Sequence, residues 1–169
     1  MRLKLIATII AAGAVLTMWN GRSQTLVQKA EQDQTILVRS DDRDMAAARR
    51  KARDGLPEFL SLARAPSGTM SKFAVKVAIH DESWVEYFWI APFEQTGAGL
   101  SGRINNSPTT VTNVKLGDKI TFAEQEIVDW LYLDGGRMKG NYTACAMFKH
   151  APRQEAEAAI QRFGMSCDP

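Results

Sequence analysis

The spacing of the apolar residues changes near Ser71, and this change limits the possible fold more than any other feature of the chain. From there, residues 71–80 alternate with the period of a half-buried strand, with Lys72, Lys76 and His80 on the polar face. Before it, apolar residues recur at helical spacing, namely at Met45, Ala48, Ala52, Leu56, Phe59 and Ala63. A helix followed by a run of strands predicts an α+β fold.

The strands read as one antiparallel sheet. Residues 71–80 and 83–91 are separated by the short turn Asp81-Glu82, which predicts a hairpin. The second of these strands is apolar on both faces, so we expect it at the centre of the sheet under a helix. Further strands are predicted at 99–104, 116–123 and 126–133. We therefore expect about five strands, with a sheet curled towards a barrel as the alternative.

The first helix has both a start signal and an interruption. Asp41 or Asp42 can cap its first turn. Gly55 and Pro57 interrupt the pattern and predict a kink or two consecutive helices.

A C-terminal helical segment is predicted after the strands. Residues 141–150 fit a strand or a helix, and we favour a helix capped by Asn141. PRQEAEAAIQRFG (152–164) predicts another helix, with Pro152 at its first position and Gly164 just past its end.

The N-terminus has the pattern of a targeting segment. Arg2 and Lys4 precede an apolar run from Leu5 to Trp19, and small residues follow at Gly21 and Ser23. Residues 1–23 are therefore predicted to be a signal peptide, with an uncleaved N-terminal anchor as the alternative. Residues 24–42 are predicted to be a polar linker and 43–169 the α+β domain. We expect a periplasmic or secreted protein, or an inner-membrane protein if the segment stays attached.

The charge of the chain argues against a nucleic-acid partner. It carries 21 Lys and Arg residues against 19 Asp and Glu residues. Residues 1–23 hold three of the basic residues and no acid, which leaves 18 basic and 19 acidic residues in the remainder. We therefore expect no binding through bulk charge, and membrane contact only through residues 1–23 if they are uncleaved.

The two cysteines indicate a disulfide. Cys145 and Cys167 form an even pair in a chain predicted to be exported, and an oxidising compartment favours their pairing. His80 and His150 show no ligand spacing, so we expect no metal site.

The run GAGLSG (97–102) matches a phosphate-binding fingerprint, but its context does not fit. The fingerprint must leave a strand and open a helix, whereas RINNSPTTV (103–111) follows here and disfavours a helix. We interpret these glycines as architectural and expect no cofactor. The sequence contains no catalytic motif, so we assign no catalytic residue.

The most informative stretch is IVDWLYLDGGRMKGNYT (127–143). Asp129 lies among apolar positions, where burial is costly unless the carboxylate is paired. It is predicted to hold an Arg such as Arg103 or to accept backbone hydrogen bonds, with ligand contact as the alternative.

Asparagines and aromatic residues near the strand ends suggest a binding rim. Asparagine side chains remain useful donors and acceptors at a surface, and aromatic rings bury much area. If the segments lie close together, Trp130 or Tyr132 would form the floor. Alternatively the asparagines form turns and the rings belong to the core. The candidate binding residues are Asn105, Asn106, Asp129, Trp130, Tyr132, Asn141, Tyr142 and Thr143.

The runs FAVKVAI, GLSGRINNSP, LGDKI and above all IVDWLYLDGGRMKGNYT resemble the bacterial YegJ-like family, a domain of unknown function. The resemblance covers roughly residues 45–148. It implies a small exported bacterial protein and carries no activity over to this chain. Ala144 and Cys145 stand where the family usually has a basic residue, which favours the disulfide.

These observations leave three functional classes open. The leading expectation is a non-catalytic binding or accessory module of the bacterial envelope, with an envelope protein as its candidate partner. One alternative is an envelope hydrolase that uses Asp129 with His80 or Tyr142. Another is an immunity-type inhibitor of a secreted toxin.

Overall fold

A computed structural model describes residues 25, 27–28, 42–82, 84–97 and 99–167 of the chain. The predicted signal peptide or anchor at 1–23 lies outside the described residues, as does most of the predicted linker at 24–42. Among the described residues, no helix is long and apolar enough to cross a membrane.

The first helix, α1 (Arg43–Arg64), begins after Asp42, whose carboxylate accepts a 2.8 Å hydrogen bond from the amide of Met45. It continues through Pro57 as one helix, so the two-helix alternative is wrong. Proline removes the amide that would bond the carbonyl of Arg53. Both residues are exposed, so water can satisfy that carbonyl and the helix continues.

The strands form one open antiparallel sheet in the order β4-β3-β2-β1-β5-β6. The predicted α+β class and the central position of β2 are confirmed. The described part of the chain contains six strands, and the sheet does not close into a barrel. A single 3₁₀ turn, Glu124–Glu126, precedes β5. The strands are β1 (Met70–Asp81), β2 (Trp84–Thr96), β3 (Gly99–Ile104), β4 (Lys119–Phe122), β5 (Ile127–Asp134) and β6 (Arg137–Gly140).

The main core lies between α1 and one face of the sheet. Phe59 of α1 is its centre, because its ring lies 4.9 Å from that of Trp130 and 5.8 Å from that of Phe73. Burial of apolar surface between the helix and the sheet is the main stabilising term. The other buried residues of this core include Ala52, Leu56, Leu60, Val75, Val77, Phe88, Ile90, Leu100, Ile104 and Ile127.

Two helices follow the sheet, as predicted. Helix α2 (Tyr142–Phe148) begins after Asn141, and α3 (Arg153–Phe163) ends at Gly164 in the left-handed region at φ 61°. Pro152 lies at the N-cap of α3 and not at the predicted first helical position, so the helix begins one residue later than predicted. A smaller core joins α2 to α1 through Met45, Ala48 and Ala146.

The predicted disulfide is present between Cys145 and Cys167, with 5.4 Å between the Cα atoms. It links α2 to the residues that follow α3. The chain there also lies against β6, where the amide of Met138 donates a 2.9 Å hydrogen bond to the carbonyl of Gly164.

Candidate functional site

Asp129 is fully buried on β5 and organises the start of α2. Its Oδ1 accepts hydrogen bonds from the amides of Trp130 (2.9 Å) and Tyr142 (3.3 Å). Its Oδ2 accepts from the amide (2.8 Å) and the hydroxyl (2.6 Å) of Thr143. Of the two predicted structural alternatives, the structure therefore shows acceptance of backbone bonds.

The predicted pairing of Asp129 with Arg103 is wrong. Arg103 lies on β3 and donates instead to the carbonyl of Gly117 at 2.9 Å. Strands β2 and β1 separate β3 from β5 in the sheet, so this arginine cannot reach the carboxylate. The cation near Asp129 is Lys76, which lies directly opposite it on β1.

Lys76 and Thr143 extend the network of Asp129. The Nζ atom of Lys76 donates to the hydroxyl oxygen of Thr143 at 2.7 Å and lies 4.5 Å from the ring centroid of Trp89. Burial lowers the pKa of Lys76, the carboxylate of Asp129 opposes this change, and the guanidinium of Arg49 adds to it. Charge on Lys76 is therefore sensitive to its neighbours.

The predicted aromatic residues meet at a cleft between α1, β5, β6 and α2, which we name the aromatic cleft. Its volume is about 280 Å³. Trp130, Tyr132 and Tyr142 of the predicted set line it. The other lining residues are Lys51, Gly55, Glu58, Phe59, Leu62, Met138, Lys139, Gly140 and Ser166.

Trp130 forms the rigid floor of the aromatic cleft. Its indole N–H donates to the carbonyl of Ala52 at 2.8 Å, and its ring meets that of Tyr142 edge-on at 5.4 Å. Gly140 lies against it in the left-handed region at φ 78°, where a Cβ atom would lie 2.2 Å from the Trp130 carbonyl oxygen. A Cβ at Gly55 would lie 2.9 Å from the indole ring. Only glycine at these two places leaves room for the ring.

Tyr132 presents a polar group to the aromatic cleft. Its ring stacks on Phe73 at 5.2 Å, and within the described residues its hydroxyl makes no hydrogen bond. Burial, with the negative charges of Asp134 and Glu58, raises the pKa of Tyr132. The hydroxyl therefore remains protonated at neutral pH and can donate to a ligand.

The structure does not join the two predicted asparagine segments into one rim. Asn106 is buried, with 7% of its surface exposed, and its side-chain oxygen accepts the amide of Trp89 at 2.8 Å. The amide of Asn105 donates to the carbonyl of the same Trp89. Thr143 bonds to Asp129, which lies at the same level of the sheet as Trp89. Strands β2, β1 and β5 separate Asn106 from Thr143, a distance of about 14 Å across the sheet. Asn106 has a structural role in completing the edge of β2.

Asn141 lies at the turn into α2. Its backbone is left-handed at φ 55°, and its amide nitrogen Nδ2 donates to the sulfur of Met138 at 3.5 Å. It occupies the predicted cap position but makes no side-chain cap bond. Thr143 is buried and engaged with Asp129 and Lys76.

The residues of the hydrolase alternative are not brought together as a catalytic group. Lys76 of β1 lies opposite Asp129, and His80 is four residues further along the same strand. His80 is therefore about 13 Å along the strand from the level of Asp129. Tyr142 approaches Asp129 through its backbone amide. Within the described residues, both oxygens of Asp129 accept hydrogen bonds from β5 and α2, so the geometry favours an anchoring role for this acid.

The structure brings together Asp42, Asp44 and His150, a cluster that the spacing of these residues in the sequence did not indicate. The Nε2 atom of His150 lies 3.0 Å from Asp42 Oδ2 and 4.0 Å from Asp44 Oδ2. Lys149 also pairs with Asp44 at 3.1 Å, so the cluster ties the end of α2 to the start of α1. The amide of Met45 lowers the pKa of Asp42 first, and His150 lowers it further against the opposing effect of burial. Because His150 lies more than 100 residues from both acids, only the fold reveals this contact.

Comparisons with known proteins place the chain among bacterial relatives. It is 30% identical over 117 residues to "Uncharacterized protein YegJ" of Escherichia coli, which covers 69% of this chain and 75% of the relative. It is also 32% identical over 62 residues to a putative ankyrin repeat protein of Neisseria meningitidis serogroup B, covering 37% of this chain and 24% of that protein. No solved structure matches.

The predicted YegJ-like resemblance is therefore confirmed. The matching family profile spans residues 42–166, which includes every described helix and strand from α1 to α3. The chain belongs to the family described as "Uncharacterized protein conserved in bacteria (DUF2314)".

Proposed function

We propose that this protein is a non-catalytic binding module of the bacterial envelope that holds a protein partner at the aromatic cleft. The observation that carries the proposal is the cleft itself. Trp130, Tyr132 and Tyr142 line it, and the Tyr132 hydroxyl points to no acceptor within the described residues. Rigid aromatic residues with one available polar group are characteristic of binding hot spots.

The size and charge of the aromatic cleft favour a protein partner over a small cofactor. Its volume of about 280 Å³ is at or below the lower end of the range for small-molecule sites, which begins at about 300 Å³. Such a volume suits one or two side chains of a partner. Lys51, Glu58 and Lys139 surround it with charges of both signs, as in the polar rim of a protein interface.

The proposed location rests on the N-terminal sequence and on the disulfide. The targeting pattern of residues 1–23 precedes a domain with a Cys145–Cys167 bridge, and such bridges persist in oxidising compartments. Mass spectrometry of the envelope fraction tests export. We expect a mature chain that begins near residue 24, whereas intact protein in the cytoplasm alone would overturn the assignment.

Photo-crosslinking in living bacteria tests the binding site. A photoreactive residue at exposed Lys139, on the rim of the aromatic cleft, should capture a discrete envelope partner. The matched control places the same residue at exposed Gln161 on α3, which does not line the cleft. Equal labelling at both positions would overturn the proposal.

A second variant separates binding from folding. Tyr132→Phe keeps the ring stack with Phe73 and removes only the hydroxyl, which bonds to no other described residue. We expect the crosslink from position 139 to fall several-fold while the melting temperature stays unchanged. An undiminished crosslink in both Tyr132→Phe and Tyr132→Ala would place the partner elsewhere.

A further inference from the structure

Two cations, Arg49 of α1 and Lys76 of β1, lie at half-buried positions over two aromatic rings of β2. The Nη2 atom of Arg49 donates to the Tyr87 hydroxyl at 2.8 Å, and its guanidinium carbon lies 5.0 Å from the centroid of that ring. Lys76 lies 4.5 Å from the centroid of the Trp89 ring. All four side chains are partly accessible to solvent. We name them the cation pair and its two aromatic walls.

Within the described residues, the acid that acts on Lys76 is one that the fold already uses. Asp129 is the acid that acts on Lys76, and both of its oxygens already accept hydrogen bonds from α2. Arg49 acts on Lys76 as a like charge. Among the described residues, Lys76 thus has a like charge and one acid acting on it, and that acid is already engaged by α2, in a half-buried setting. Uncompensated charge in such a place is unfavourable unless a counter-ion reaches it.

Arg49 also carries an unused donor. Its Nε atom is buried and has no hydrogen-bond partner within the described residues. Native proteins seldom leave a buried donor of a charged group unsatisfied. Arginine Nε and its neighbouring Nη atoms form the edge that binds carboxylate and phosphate oxygens. The unpaired Nε donor of Arg49 and the positive charges of Arg49 and Lys76 therefore both favour an anionic oxygen ligand.

The geometry points to an oxyanion site in which Arg49 and Lys76 bind a carboxylate or phosphate group, with Tyr87 and Trp89 as its walls. This site is separate from the aromatic cleft, and the inference does not depend on the proposed function. Arg49 supplies the directional donor, and Lys76 supplies a second charge. The aromatic faces shield the bound group from water, which strengthens its attraction to both cations.

Titration with simple oxyanions tests the site. Sodium phosphate and sodium acetate are added separately to the full protein, with sodium chloride holding the ionic strength constant. The readout is the indole N–H signal of Trp89 in a ¹⁵N NMR spectrum, assigned with Trp89→Phe. We expect a saturable shift of this signal. Tighter binding of phosphate assigns a phosphoryl ligand, tighter binding of acetate assigns a carboxylate ligand, and no saturable shift with either overturns the inference.

Three variants separate a specific site from general attraction to a basic surface. Arg49→Met and Lys76→Met each remove one charge and keep an unbranched apolar stem, and each should weaken binding about tenfold. Arg50→Met removes the same charge from the exposed neighbouring position on α1 and should leave the affinity unchanged. Equal weakening in all three variants would overturn the inference.

Two further measurements test the oxyanion site if the charge-removing variants do not fold. Arg49→Lys keeps the charge and loses the planar donor edge, so it should also weaken binding. In the unaltered protein, the favoured oxyanion should raise the melting temperature relative to chloride at equal ionic strength. An unchanged melting temperature together with an unshifted Trp89 signal would show that water alone satisfies Arg49.

Discussion

Replacing Asp129 with Asn tests the buried network at the start of α2. The substitution keeps the shape of the side chain but turns one acceptor oxygen into an amide donor. Oδ2 now accepts the amide and the hydroxyl of Thr143 at 2.8 and 2.6 Å, so an amide nitrogen at that place would face donors instead of accepting from them. Rotating the new amide only transfers the conflict to the amides of Trp130 and Tyr142.

The size of the effect follows from these bonds. Hydrogen bonds to charged groups contribute about 1.5–3 kcal/mol each, and two of the four are lost. The substitution also removes the negative charge of Asp129, which stabilises the charged form of the buried Lys76. We expect Asp129→Asn to lower the free energy of unfolding by about 3–5 kcal/mol, in the range observed when one partner of a buried pair is removed.

Urea denaturation followed by tryptophan fluorescence measures this change. Thr143→Ser is the matched control, because it keeps the amide and hydroxyl that bond to Asp129 and removes only a methyl group. It should cost about 1 kcal/mol or less. A loss below about 1 kcal/mol for Asp129→Asn would refute the view that this carboxylate anchors α2.

Three other features give testable expectations. Gly140→Ala should lower the free energy of unfolding by about 3 kcal/mol, because a Cβ would lie 2.2 Å from the Trp130 carbonyl oxygen at a left-handed backbone position; chemical denaturation measures the change. Replacing Cys145 and Cys167 with Ala should cost about 3 kcal/mol, since the bridge closes a loop with a sequence separation of 22 residues; thermal unfolding measures the loss. Burial raises the pKa of Glu86, but hydrogen bonds from residues 109–111 outweigh it and lower that pKa overall. Its contribution to stability is therefore present above about pH 4.3 and lost as the pH falls through the lower folded value, so Glu86→Gln should flatten the acid side of the stability profile.

Each of these expectations has a matched control. Gly68→Ala adds a Cβ with no atom within 4 Å and should be nearly neutral, so an equal loss would contradict the packing argument. Chemical reduction of the unaltered protein should reproduce the effect of the cysteine variant. Glu82→Gln removes an exposed acid near Glu86 in sequence, and an identical pH profile for both variants would contradict the role given to the buried carboxylate.

The sequence was sufficient to predict the local elements and insufficient for contacts between distant segments. The β1–β2 hairpin was predictable because residues 71–80 alternate in polarity and a short polar turn separates them from the apolar run of the next strand. Strand β6 (Arg137–Gly140) was not, because it is four residues long and only its pairing with β5 defines it. The continuity of α1 through Pro57 depends on which side of the helix faces water, which local propensity does not specify.

The candidate site shows the same division. Trp130, Tyr132 and Tyr142 were predicted as binding residues from one short stretch, and all three line the aromatic cleft. The sequence could not show that Lys51 and Glu58 face them from α1, more than 70 residues earlier. Asn106 looked like a surface residue because its type favours turns, yet a tertiary contact with β2 buries it.

The open sheet leaves two edges, and their construction affects how copies of the protein meet one another. Unpaired edge strands invite other chains to extend the sheet, which leads to aggregation. Strands β4 and β6 at these edges are only four residues long, and β6 carries exposed Arg137 and Lys139. The chain after α3 also occupies the outer side of β6, where Met138 donates to Gly164. Assembly by strand addition is thus disfavoured even when the protein is crowded.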